Sequence, residues 1–173
     1  MYRRSVSASD SRDILDPRVR AAIETLGVAC EVLACDPDFA DTAAFCSRYG
    51  IPPAHSANTI VVASRKEPKR HAACLVLATT KLDVNRKVAE LLGVKKLSFA
   101  SGEETVALTG MTVGGVTLFG LPSEWPIYVD SRVVALSSVV VGGGNRSSKL
   151  RLSPAELLRV PGTRFVEGLA VDR

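Results

Sequence analysis

The chain has 173 residues, of which 46% are hydrophobic, 23% charged and 5% aromatic. That is enough apolar material for one domain with its own core, built from Val, Leu, Ile and Ala rather than from aromatic rings. The net charge of +4 is compatible with a polyanionic partner without being diagnostic of one, and no segment approaches the roughly 18 apolar residues of a membrane span.

The first 13 residues, serine-rich and charged, read as a flexible tail without the apolar stretch of a secretory signal. A single domain is expected over 14–173. From Asp16-Pro17 the spacing predicts a helix with Val19, Ala22, Ile23 and Leu26 on one face, ended by Gly27. Cys30–Ala34 is a strand candidate. Asp41-Thr42 starts a second helix, stopped by Gly50 and Pro52-Pro53. Thr59–Ala63 and Ala72–Ala78 predict adjacent strands across a charged turn.

Asp83 is placed to cap a helix with a Val84, Val88, Leu91, Leu92 stripe, closed by Gly93. Leu97–Ala100 reads as a strand and Gly102–Thr105 as a helical turn. Glycines then dominate from Gly110 to Gly120. Pro126–Val129 and Val133–Val141 predict further strands, broken by Gly142–Gly144; Leu150–Leu152 is a brief one. Ser153-Pro154 opens a last helix, with Glu156 at capping-box spacing. The interleaving of these elements predicts one mixed α/β domain.

Four cysteines (Cys30, Cys35, Cys46, Cys74) make no CxxC pair, and His55 and His71 add no metal-ligand spacing. No metal or other cofactor is expected, and the cysteines read as reduced core residues of a cytoplasmic protein. The sequence holds no GxSxG elbow, Walker A loop or HExxH helix. Its unusual segment is LTGMTVGGVTLFGL at 108–121. Glycine pairs let backbone N–H groups approach and hold a ligand oxygen; tight turns between short strands are the plainer reading of the same glycines. Basic residues cluster at Arg65–Arg70 and at Arg146, Lys149 and Arg151. Lys149 and Arg151 fall on one strand face, suited to RNA phosphates, although such clusters are also common on solvated loops.

Several stretches then combine: SANTIVV at 56–62, CLVLATTKLDVNRKVAELLG at 74–93, LSFASGEET at 97–105, TGMTVGGVTLFGLP at 109–122, PIYVDSRV at 126–133 and VVVGGGNRSSKLRLSPAELLRV at 139–160. In this order and spacing the chain resembles the YbaK/EbsC family of prolyl-tRNA-synthetase-associated editing domains. The resemblance implies a mixed β-sheet surrounded by helices and a pocket for the aminoacyl-adenosine end of tRNA. It also implies metal-free hydrolysis of mischarged tRNA, with the tRNA's ribose hydroxyl helping to activate or position water, and association with a synthetase or translation factor. By this resemblance Gly114, Gly115 and Val116 offer backbone donors near the ester carbonyl. Asn58 and Thr59 position substrate, Asp130 either faces the pocket or serves as a turn or cap residue, and Gly142, Gly143 and Gly144 form a second pocket wall.

Two departures stand out. Asn58 occupies the position where many members carry lysine, and GGVTL at 114–118 lacks a proline common in the family's loop. An alternative reading is therefore a non-catalytic tRNA- or nucleotide-binding module of the same fold.

Overall fold

The computed structural model describes residues 11–173. Most of the tail expected over residues 1–13 lies outside the described residues, and Leu15 already belongs to the core.

Helix α1 (Pro17–Leu26) forms where the pattern placed it. The Asp16 carboxylate accepts from the Arg18 amide, proline fills the first turn, and Gly27 ends the helix at φ 65°. Its Val19 and Ile23 are buried. Strand β1 (Glu31–Ala34), a short 3-10 turn at Pro37–Phe39 and helix α2 (Thr42–Tyr49) follow. Strands β2 (Ala57–Ser64) and β3 (His71–Leu77) pair antiparallel, with Asn58 opposite Val76 and Thr59 opposite Leu75. After β4 (Thr80–Leu82), residues Val84–Val88 form a π turn leading into α3 (Ala89–Leu92). Asp83 does not cap this segment as expected: its carboxylate pairs with Arg86 at 2.7 Å.

Strand β5 (Leu97–Phe99) precedes α4 (Gly102–Thr109), which is longer than the single turn expected at 102–105. The Ser101 hydroxyl caps it by accepting from the Glu104 amide. Strand β6 (Ile127–Asp130) runs into α5 (Ser131–Val134), so the strand expected from Val133 is a helical turn until β7 (Val139–Gly142) begins. The Asp130 carboxylate accepts from the Arg132 amide at 2.8 Å and bends the chain there. Strand β8 (Ser148–Leu152) leads to a 3-10 segment at Pro154–Arg159 in place of the predicted α-helix. Glu156 turns away from a capping box, accepting from the Ala29 amide and Arg159. Strands β9 (Thr163–Val166) and β10 (Ala170–Asp172) carried no clear sequence signal.

The main sheet has the order β5-β2-β3-β6-β9, antiparallel through β3 and parallel beyond it. A smaller sheet, β1-β8-β7, is antiparallel, and β4 pairs with β10. Alternation along β3 sends Ala73, Leu75 and Leu77 into one core and Ala72, Cys74 and Val76 into another. The first core packs the main sheet against α1, β7 and β8; the second lies under α3, β4 and β10. A parallel bridge between Ser56 and Val140 joins the two larger sheets at one point. Beside that bridge the sheets part, and a cleft opens.

Candidate functional site at the seam between two sheets

The cleft has a volume of about 380 Å³. Strand β2 supplies Asn58, Thr59, Ile60 and Val61 to one side, and β7 supplies Val140, Val141 and Gly142 to the other. Thr42 and Phe45 of α2, Thr105 of α4, Val113, Gly114 and Val116 of the glycine loop, and Lys149 of β8 complete much of the wall.

The loop reaches the cleft because glycine removes side chains where two backbones touch. A Cβ on Gly115 would stand 2.1 Å from the Asn145 carbonyl oxygen. One on Gly142 would stand 2.5 Å from the carbonyl oxygens of both Gly115 and Val116. Alanine at either position requires backbone to move. Gly114 itself sits at φ 92°, a conformation that L side chains rarely adopt.

The amides of this loop differ in availability. Gly115 N–H donates to the Thr112 carbonyl at 2.9 Å, closing a turn, and its carbonyl accepts from Gly144 at 2.6 Å. The Gly115 N–H, expected as a backbone donor at the ester, is thus engaged inside the loop, and Gly115 is the residue at which the loop is pinned. The amides of Gly114 and Val116 have no hydrogen-bond partner among the described residues, and both residues line the cleft.

Two cations hold the loop by its carbonyls. Arg146 donates to Val113 O at 3.2 Å, to Pro37 O at 2.9 Å and to the Asp41 carboxylate at 2.9 Å. The pairing holds the Asp41 carboxyl below its ordinary range, first through that hydrogen bond. Lys149 was expected on an RNA-facing surface. It is instead only 6% exposed, donating to Gly114 O at 2.8 Å and Ala40 O at 2.7 Å, with its ammonium 5.4 Å from the centre of the Phe45 ring. Burial pushes its pKa down, opposed by the neighbouring Cys35. Arg151 shares the strand face but is more exposed, paired with Glu31 at 3.3 Å.

Asn58 accepts a short hydrogen bond from the Thr42 hydroxyl, which ties β2 to the start of α2. With the oxygen engaged, the two amide protons of Asn58 have no partner among the described residues. Thr59 Oγ1 is buried in the cleft wall without a hydrogen-bond partner there. Buried polar atoms are seldom left so.

The remaining candidates lie elsewhere. Asp130 is 1% exposed and outside the cleft wall, and its oxygens accept from the Arg132 and Ala170 amides. It joins α5 to β10, the cap role that the sequence also allowed, and does not line the cleft. Only Gly142 of the glycine triplet lines the cleft. Gly143 packs on Ser148, and Gly144 packs on Asp16 and Val19 at the start of α1. His55 is exposed on a 3-10 turn. His71 stacks on Trp125 with centroids 5.2 Å apart and faces Glu104. Cys74 is buried in the second core, its thiol pushed up to about 12, which leaves it inert at neutral pH. Among the described residues no three His, Cys, Asp or Glu side chains converge as a metal site. None of their helices is long and apolar enough to cross a membrane.

The tie from Thr42 to Asn58, the hold of Arg146 on the glycine loop and the inward course of Lys149 escaped sequence reading. Alternation against Leu150 and Leu152 was a legible sign that Lys149 points away from the main core. That α2 would cover it was not legible.

Among solved structures, a protein described as "a putative trans-editing enzyme for prolyl tRNA synthetase" superposes with a TM-score of 0.75 at 26% identity, covering 94% of this chain and 98% of the other. A structure described as hypothetical protein APE2540 gives 0.78 at 26% identity, covering 89% and 99%. The Enterococcus faecalis protein named "Putative Cys-tRNA(Pro)/Cys-tRNA(Cys) deacylase EbsC" is 27% identical over 82 residues, 47% of this chain and 50% of that protein. YwhH of Bacillus subtilis is 34% identical over 73 residues, covering 42% and 46%. The chain thus spans about half the length of the curated relatives it matches. The model of the aminoacyl-tRNA editing domain matches residues 36–160, and with the cleft lying inside that span the chain belongs to the aminoacyl-tRNA editing domain family.

Proposed function

We propose that the protein hydrolyses the ester between an amino acid and the terminal adenosine of a mischarged tRNA, acting in trans. The carrying observation is the make-up of the cleft. Among the described residues, its wall holds two unpaired amides at Gly114 and Val116, the Asn58 amide, the buried and unpartnered Thr59 hydroxyl and one ammonium, with no carboxylate, histidine or cysteine. Such a wall binds oxygen and stabilises negative charge but supplies no ordinary general base. That suits a reaction in which the substrate's own ribose hydroxyl helps to position the water. Orientation and charge stabilisation are then what the protein contributes.

Apolar residues around these donors (Phe45, Ile60, Val61, Val113, Val140) give the amino-acid side chain a shaped surface. Shape alone discriminates one methylene by about 1–3 kcal/mol. The tRNA acceptor end is the proposed partner, together with a synthetase or translation factor that delivers it. The same lack of a side-chain base also fits a module that binds the acceptor end without turnover.

A panel of mischarged tRNAs distinguishes the two. Release of amino acid from at least one tRNA, above the buffer rate and insensitive to chelator, is the expected result. Binding without release across the full panel would establish the non-catalytic reading instead.

A further inference from the structure

Lys149 is the one charged side chain in the cleft wall among the described residues, and it carries no carboxylate partner. A lysine ammonium has three protons to donate. Two go to the carbonyls of Ala40 and Gly114, which fixes the direction of the third. That third proton has no protein acceptor among the described residues. A purely structural tie between Ala40, ahead of α2, and the loop needs no formal charge. A buried charge is costly unless something pairs with it.

The neighbourhood offers little compensation. Cys35, at the end of β1, and Cys46, on α2, lie close enough to favour the ammonium, as does Asp41; Arg146 opposes it. Asp41 is itself engaged by Arg146 at 2.9 Å. The phenyl face of Phe45 gives the ammonium a further, weak partner. Gly114, whose carbonyl Lys149 holds at 2.8 Å, also presents an unpaired amide at the cleft.

We propose that Lys149 directs its third N–H at the ester carbonyl oxygen of the substrate and stabilises the negative charge that develops there. The inference rests on the deacylase reading above. In the step concerned, the water oxygen bonds to the carbonyl carbon and the C=O π pair moves onto the carbonyl oxygen, where Lys149 meets it. As that pair returns, the ester C–O bond breaks. The departing ribose oxygen takes up a proton from the attacking water, giving the free amino acid and the tRNA hydroxyl. Lys149 keeps its proton throughout. Its position at the buried end of the cleft, beneath the loop, fits a carbonyl oxygen better than a phosphate of the RNA backbone, which an exposed cation would meet.

The test compares two synthetic adenosines. One carries the amino acid through a 3′-amide, the other carries the matching aminoalkyl phosphonate, a charged mimic of the tetrahedral intermediate. The amino acid is the one released fastest from the tRNA panel, or alanine if none is released. Wild type should bind the phosphonate more tightly than the amide. Lys149→Met, of similar length and without charge, should lose that preference while retaining amide binding. Its kcat should fall by roughly 100- to 1000-fold, the range for loss of one oxyanion donor, with KM little changed. Lys149→Arg should restore part of the preference.

If Lys149→Met folds poorly, a 15N titration of the lysine ammonium in wild type serves. The phosphonate should raise the pKa of Lys149 and the amide should not. Equal weakening of both ligands by Lys149→Met, or a pKa unmoved by the phosphonate, would overturn the proposal and leave a structural tie. A wild type that releases no amino acid but shows the phosphonate preference would overturn the deacylase reading alone.

Discussion

Gly114–Val116 and Gly142–Gly144 are both rich in glycine and press against one another, yet they use the missing side chains differently. In the second segment, glycine serves contact: Gly142 accommodates the first loop, Gly143 accommodates Ser148, and Gly144 fits over Asp16 and Val19. In the first, Gly115 is consumed in contact with backbone and Gly114 lies against Arg146, whose guanidinium would stand 2.4 Å from a Cβ there, while Gly114 and Val116 keep unpaired amides at the cleft. Glycine content alone did not separate a segment that builds the seam from one that presents donors. What separates them is where each N–H goes.

The comparison can be broken most forcefully at the contact itself. Gly115→Ala and Gly142→Ala each place a Cβ within 2.5 Å of backbone oxygen. Each is expected to lower stability by about 1–3 kcal/mol, the usual cost of forced overpacking, and to reduce deacylation by displacing the loop. Denaturant unfolding and single-turnover deacylation measure both effects. Stability unchanged in Gly142→Ala would show that the segments do not need their close approach.

Gly144→Ala should sharpen the distinction. Its φ of 91° and its contacts with Asp16 and Val19 predict a loss of stability of about 1 kcal/mol or more. Kinetic constants of the folded fraction should be nearly unchanged, because Gly144 does not line the cleft. A selective loss of kcat would instead place it in the site. Asn58→Ala should show the opposite pattern. Turnover or substrate affinity falls, while the melting midpoint moves little, since the residue is only half-buried and Thr42 can turn to water. A large melting shift with intact kinetics would make Asn58 a structural link between β2 and α2.

A smaller effect concerns pH. The folded pKa of Lys149 lies below the ordinary 10.5, chiefly through burial. Between the folded and unfolded values the unfolded chain binds more protons, so this group makes stability rise with pH across that window. Lys149→Met should lack that gain. The difference in unfolding free energy between wild type and variant should therefore shift in favour of wild type as pH approaches 10.5. A difference independent of pH would mean the lysine is not desolvated. The smallest effect is expected at Arg151: its exposed pair with Glu31 predicts that Arg151→Ala changes stability by less than about 1 kcal/mol. If Arg151 also meets RNA phosphate, the salt dependence of tRNA binding becomes shallower in the variant.

Local chemistry made much of the fold legible in the amino-acid sequence. Asp16-Pro17 and Gly27 bounded α1, the apolar runs on either side of Arg65–Arg70 gave β2 and β3, and Gly93 closed α3. These signals act within a few residues, through caps, φ restrictions and period. Tertiary structure decided where such local offers were declined. Glu156 turned to Ala29, 127 positions away, and Asp130 holds the Ala170 amide across 40, whereas Asp83 turned to Arg86 and Asp130 to Arg132 within three positions of the chain. The site divides in the same way. Asn58, Thr59 and the glycine loop stood out in sequence, because residue type and order carry the family resemblance. The engagement of Gly115 N–H, the tie from the second carboxylate oxygen of Asp130 to Ala170 and the burial of Lys149 were settled by partners between 3 and 109 positions away. Hydrogen-bond donors are assigned by what lies across the seam, and no local pattern along the chain encodes that.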